Sequence, residues 1–196
     1  MDPVSSRDEY NTRLKHMSPS TFLLLLILNT INSTITFGCL PSLSTYALLP
    51  FGQKAFYYWS VLIPSAYPLS LVISIRWKIA SNGWIGLLSA MSWLLSGFII
   101  FISIQSPCPW LADTISGALM IISVWFLMST IGGFIRIIIG NRIKGEWSDE
   151  KGMFYYGASV QLGLFLGTIP TYIAINVFSL FVDRKPCKVY CVTNLE

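Results

Sequence analysis

The chain has 196 residues, of which 54% are hydrophobic and 11% charged, with a formal net charge of +4 and a mean hydropathy of +0.62. This balance excludes an ordinary soluble domain, in which about a quarter of the residues are charged. The sequence is that of an integral membrane protein, and its basic residues read as topology signals rather than as nucleic-acid contacts.

A helical span needs roughly 20 apolar residues. The sequence supplies five such stretches, at about 19–40, 54–75, 83–105, 114–139 and 153–182, and leaves no room for a sixth. Runs such as TFLLLLILNTI and LMIISVWFLMSTIGGFI are continuous, whereas barrel strands alternate over about 10 residues. The predicted fold class is therefore all-α, a polytopic helical membrane protein. It divides into a cytosolic N-terminal tail (1–18), a five-span transmembrane domain (19–182) and an extracellular C-terminal tail (183–196). The first stretch is expected to be a span rather than a cleavable leader, because a charged tail precedes it and its apolar run continues without a small-residue cleavage site.

In the first span Asn29, Asn32, Ser33 and Thr36 recur at three and four residues and so share one helical face. That face is either an interhelical hydrogen-bond seam, worth under about 2 kcal/mol per contact, or the wall of a polar cavity. The Asn32-Ser33-Thr34 triplet matches a glycosylation acceptor but lies inside the span, out of reach of the transferase. Further along, Pro64 and Pro68 in the second span and Pro170 in the last predict kinks whose freed backbone groups are satisfied by neighbouring helices or a water-filled cavity.

The connections set the orientation. Arg7, Arg13, Lys15, Arg76, Lys78, Arg136, Arg142, Lys144 and Lys151 fall on one side, while Lys54, Arg184, Lys185 and Lys188 fall on the other. Nine against four places the N-terminus in the cytosol. The longest inter-span segment, GNRIKGEWSDEK, has mixed charge and reads as a connecting loop; no internal repeat or low-complexity tract is present. In this orientation Cys108, set between two prolines in SPCPWL, and Cys187 and Cys191 in the tail all mature in an oxidising compartment. The flanking prolines fix the Cys108 loop, and a disulfide between Cys108 and Cys187 is expected, Cys187 being nearer its span end. A zinc or free-thiol site is the alternative, with the single histidine, His16, on the opposite side.

The last span, YYGASVQLGLFLGTIPTY, holds Ser159, Gly163 and Gly167 at four-residue spacing, a small-residue row that admits another helix at close range. Gln161, Phe165, Thr168 and Tyr172 occupy roughly the opposite side, where a mid-span Gln favours a cavity over lipid. No Asp, Glu or His lies deep in a span, and neither G-x-S-x-G nor H-E-x-x-H occurs. The chain therefore has no evident proton relay, metal site or hydrolytic machinery, and is not expected to be an enzyme.

FGCLPSLSTYALLPFG, SPCPWL, GASVQLGLFLG and the terminal Cys187 and Cys191, in that order, resemble the C-terminal half of the eukaryotic riboflavin transporter family over roughly Asn32 to Cys191. Gly38, Leu40, Pro41, Leu49, Pro50, Gly52, Ser106 to Pro109, Gln161, Gly163, Leu166 and Gly167 match the family's pattern. Phe37 stands where the pattern has Asn, Ser44 where it has Gln, and Leu48 where it has Cys. The first two changes remove amides available to a flavin, and the third removes the usual partner of Cys191.

The resemblance implies an eleven-span carrier working by alternating access at the plasma membrane, of which this chain is the last five spans. It is expected to be a fragment that does not transport without the N-terminal half. Riboflavin is the implied substrate, membrane lipid the surrounding partner, and no cofactor or metal is implied. For the flavin ring Phe165 and Tyr172 are expected to form a flat slot; for the ribityl hydroxyls Asn32, Thr36, Gln161 and Thr168 are the expected partners. The competing expectation is a non-transporting structural or accessory membrane protein whose polar faces hold helices together.

Overall fold

The computed structural model describes residues 17–77, 81–147 and 151–182. Most of the expected N-terminal tail, the whole C-terminal tail and Cys187 lie outside the described residues. Five helical spans, each long and apolar enough to cross a membrane, make up the rest.

The first span runs from Pro19 to Phe51 and is built in pieces. Helix α1 (Pro19–Ser33) starts with proline at its first turn, where no backbone N–H is needed. A wider π-helical turn follows (Thr34–Cys39), then α2 (Leu40–Leu48) and one 3-10 turn (Leu49–Phe51). The sequence suggested an end near residue 40. The chain instead continues, because Pro41 falls in the first turn of α2 just after the π turn, where the widened backbone accommodates a missing N–H and a bulky ring. Gly52 ends the span with φ of 104°, a conformation that glycine adopts without steric cost.

Helix α3 (Gln53–Arg76) contains Pro64 and Pro68, and α4 spans Asn82–Ile104. Helix α5 (Ile115–Glu146) is capped by the Thr114 hydroxyl, which accepts from the Gly117 N–H at 3.1 Å. Helix α6 covers Gly152–Asn176. Two boundaries differ from expectation. Helix α5 passes residue 139 and carries Arg142 and Lys144 within it, since the helical backbone satisfies its own hydrogen bonds and a basic residue in the last turn, Lys144, is favourable. Helix α6 stops short of 182, where Ser179 turns left-handed at φ of 48° and the Leu180 N–H donates back to the Ala174 carbonyl at 3.1 Å.

Helix α5 is the centre of the bundle: half of its most apolar window is buried, against 11% for α3. It packs most extensively along α3 and α4, and α6 packs on α1 and the π turn. One apolar cluster gathers around Leu48, Ile102, Ile121 and Trp125, and another around Leu25, Ile85, Ile135 and Ile139. Between them lies a polar layer of Asn29, Asn32, Ser33, Thr36, Ser70 and Thr130, all buried. Helix α4 adds a buried serine row, Ser89, Ser92, Ser96 and Ser103. Ser89, Ser96 and Ser103 bond back to the carbonyl four residues earlier at 2.7–2.9 Å, which hides their hydroxyls from lipid.

Candidate functional site: the polar layer and the open face of the last span

The small-residue row of α6 meets the first span as its spacing predicts. A Cβ on Gly163 would come 2.5 Å from the Thr30 carbonyl oxygen and 2.7 Å from the Ser33 Cβ. One on Gly167 would strike the Thr34 carbonyl oxygen and lie 2.7 Å from the Gly38 Cα. Backbones this close leave no volume for a side chain. Asn29 Nδ2 donates to Ser159 Oγ at 2.7 Å and the Cys39 thiol to the Gly167 carbonyl at 3.8 Å, so the contact is polar as well as tight.

Asn32 and Thr36 are buried on the other side of the first span, against α5. Asn32 Nδ2 donates to the Gly132 carbonyl at 3.3 Å. A Cβ on Gly132 would meet Thr36 Oγ1 at 3.2 Å and Asn32 Oδ1 at 3.9 Å. Asn32 Oδ1, Thr36 Oγ1, Asn29 Oδ1 and Ser33 Oγ have no hydrogen-bond partner among the described residues. Each such buried oxygen costs about 1–3 kcal/mol of desolvation, so this layer is polar beyond what helix packing alone requires.

Gln161, Phe165, Thr168 and Tyr172 are exposed on α6, with Phe165 and Tyr172 61% and 62% accessible. They face away from the glycine seam. The six residues expected to bind substrate therefore form two groups: Asn32 and Thr36 meet at Gly132, and the other four share an open helix face. A cavity of about 590 Å³ lies elsewhere, between the ends of α3 and α5, lined by Leu71, Ile75, Trp77, Ile138, Arg142 and Glu146. At that end Arg142 pairs with Glu146 at 3.1 Å and donates to Asn82 Oδ1.

One group was missed. Arg136, counted with the loop charges although it falls within the expected 114–139 stretch, lies inside α5 with its guanidinium carbon 4.9 Å from the centre of the Phe37 ring. Phe37 stacks on Tyr67 of α3 at 5.8 Å and 20°, and the Tyr156 hydroxyl of α6 donates to the Arg136 carbonyl at 3.0 Å. The signal available in the sequence was the apolar run resuming after it, IIIG, which is span rather than loop. On the opposite end, Ser106 Oγ donates to the Val182 carbonyl at 2.6 Å and brings the Cys108 loop to the exit of the last span. Cys39 is a free thiol. Cys108 is not free, but Cys187 lies outside the described residues, so their pairing stays a proposal.

The sequence profile described as solute carrier family 52, riboflavin transporter, matches residues 2–183. The chain belongs to this family. It is 28% identical over 176 residues to "Riboflavin transporter 2" of Salmo salar, covering 90% of this chain and 38% of that protein. It is 27% identical over 173 residues to "Solute carrier family 52, riboflavin transporter, member 3" of Homo sapiens, covering 88% and 36%. Against member 3-B of Danio rerio the identity is 29% over 168 residues, covering 86% and 36%. The chain thus spans well under half the length of the curated relatives it matches, and no solved structure matches it. As a member of this family it is a multi-pass membrane protein of a transporter class, not an enzyme.

Proposed function

We propose that this chain is the C-terminal half of a riboflavin carrier that works by alternating access at the plasma membrane, with its N-terminus in the cytosol. The observation that carries this reading is the two-sidedness of α6. Its glycine row is locked against the first span, while Gln161, Phe165, Thr168 and Tyr172 stand open to whatever lies beside the bundle. A polar amide and two aromatic rings on one open face suit a flavin better than they suit lipid. Carrier sites form at the midplane between two halves, so an N-terminal half facing this surface would complete the site. Asn32 and Thr36 would join the substrate wall when the contact between the first span and α5 loosens during the cycle.

A second reading has its own support. Asn29 on Ser159 and Asn32 on Gly132 hold helices together without any ligand, as expected of a non-transporting structural or accessory protein. Riboflavin uptake separates the two. Cells expressing the chain alone should take up no more than control cells, and co-expression with the N-terminal half of a relative should restore uptake. Surface-exposed chain that stays inactive with that half supplied favours the accessory role.

A further inference from the structure

We propose that Arg136 receives the carbonyl-bearing edge of a flat conjugated ligand within the membrane-spanning bundle, an assignment that rests on the riboflavin-carrier reading above. Its surroundings come from separate elements: Phe37 from the π turn, Tyr67 from α3 and Tyr156 from α6. Tyr67 lies near the middle of α3 (Gln53–Arg76). Helical side chains lean toward the helix N-terminus, so the guanidinium is carried inward from its own Cα, away from the Arg142 end. No carboxylate among the described residues forms an ion pair with Arg136; the ion pair of α5, Arg142 with Glu146, lies toward the helix end.

The energetics of a guanidinium in this position leave room for a further acceptor. An arginine inside a span costs at most roughly 2.5–3.5 kcal/mol on insertion scales, the value for its centre, and one cation–π contact offsets about 0.5–2 of that. The Tyr156 hydroxyl lies beside the guanidinium, and the remaining N–H donors are available to further oxygen acceptors. Phe37 covers one face of the guanidinium, whereas the five N–H donors lie in its plane and point past the ring edge. Arg136, Phe37 and Tyr156 are half-buried and Tyr67 is 37% exposed, so the cluster opens to one side. A ring lying edge-on in the plane of the guanidinium would place its edge carbonyls against those donors. The π turn belongs to the same device, since such turns are rare and recur at functional sites.

The test is titration of the purified chain, co-reconstituted in lipid nanodiscs with the N-terminal half of a relative, with riboflavin and with lumiflavin, which keeps the ring and lacks the ribityl chain, read by quenching of flavin fluorescence. Loss of a charge-assisted hydrogen bond predicts that Arg136→Gln weakens both ligands about ten-fold or more while the melting temperature of the chain stays near wild type. Arg136→Lys, which keeps the charge and loses the planar fork, and Phe37→Leu should each weaken both. If Arg136→Gln fails to fold, these two charge-retaining variants decide the question. Riboflavin binding that is equal in wild type and variants overturns the role of Arg136 and leaves the carrier reading standing. Arg136-dependent binding of lumiflavin without riboflavin binding supports the role and removes riboflavin as substrate. No binding of either ring by the wild-type chain overturns the proposal, as does displacement of the flavin by inorganic phosphate at equal concentration, which would mark a plain anion site.

Discussion

Gln161 and Asn32 are both amides inside spans, yet the bundle treats them differently. Asn32 is fully buried and spends one N–H on the Gly132 carbonyl, so replacing it removes a helix contact. Gln161 is exposed on α6 and contributes little to packing. Gln161→Ala is therefore expected to leave surface abundance within about 20% of wild type in a complete transporter containing these spans, because surface substitutions change stability by only about 0.5 kcal/mol. Uptake per surface molecule should fall several-fold, as it does when a hydrogen bond to ligand worth about 1 kcal/mol is lost. Surface biotinylation together with labelled riboflavin uptake reads both quantities. A drop in abundance with normal uptake per molecule would make Gln161 a packing residue. The periodicity of Asn29, Asn32, Ser33 and Thr36 disclosed a shared face, and all four are indeed buried; which helix each would meet was not encoded in their spacing, since one span alone does not specify its neighbours.

At the scale of the helix, the seam between α6 and the first span is the feature most sensitive to volume. Gly163 approaches backbone atoms of Thr30 and Thr34, so a larger side chain there displaces a whole helix instead of rotating one side chain. Gly163→Leu should lower the yield of folded protein at least several-fold, consistent with an overpacking cost of roughly 1–3 kcal/mol or more. Gly97→Leu is the matching control: nothing lies within 4 Å of a Cβ at Gly97, and its yield should stay near wild type. Size-exclusion chromatography in detergent distinguishes the two. Equal losses would mean that any bulky addition to a span is harmful and that the glycine row is not the seam. Helix boundaries were less legible than helix faces. Hydropathy ends the fourth span near residue 139, before Arg142, whereas the α-helical backbone satisfies its own hydrogen bonds and continues to Glu146.

For the whole molecule, setting Arg136 aside as part of the span, while Arg142 and Lys144 stay counted near its end, changes the charge count from nine against four to eight against four (9 − 1 = 8), and the orientation expected from the sequence keeps the same sign. An epitope inserted after Glu146 is predicted to be inaccessible to antibody in intact cells, and one after Glu196 accessible without permeabilisation. The same orientation leads to the expectation that Cys108 and Cys187 are recovered as one cross-linked species in non-reducing peptide mapping of surface protein. Two tags that behave alike, or both cysteines recovered as free thiols, would require a different arrangement of the spans. The relatives are longer than this chain, which covers 38% of the salmon protein, and the open faces of α3 and α6 are the surfaces on which additional helices would have room to sit.

Composition alone determined that the protein lives in a membrane, because a charged fraction of 11% leaves apolar surface that only lipid or other helices can cover. Run length determined the number of spans, and four-residue spacing determined that Gly163 and Gly167 form a contact face, because both are local consequences of helix geometry. Only the tertiary structure decided that this face meets Thr30 and Thr34, that Asn32 turns to Gly132, and that Phe37, Tyr67 and Arg136 converge. Those pairings link residues far apart in sequence, where no local periodicity operates, and they are fixed by which backbones approach closely enough to share a seam.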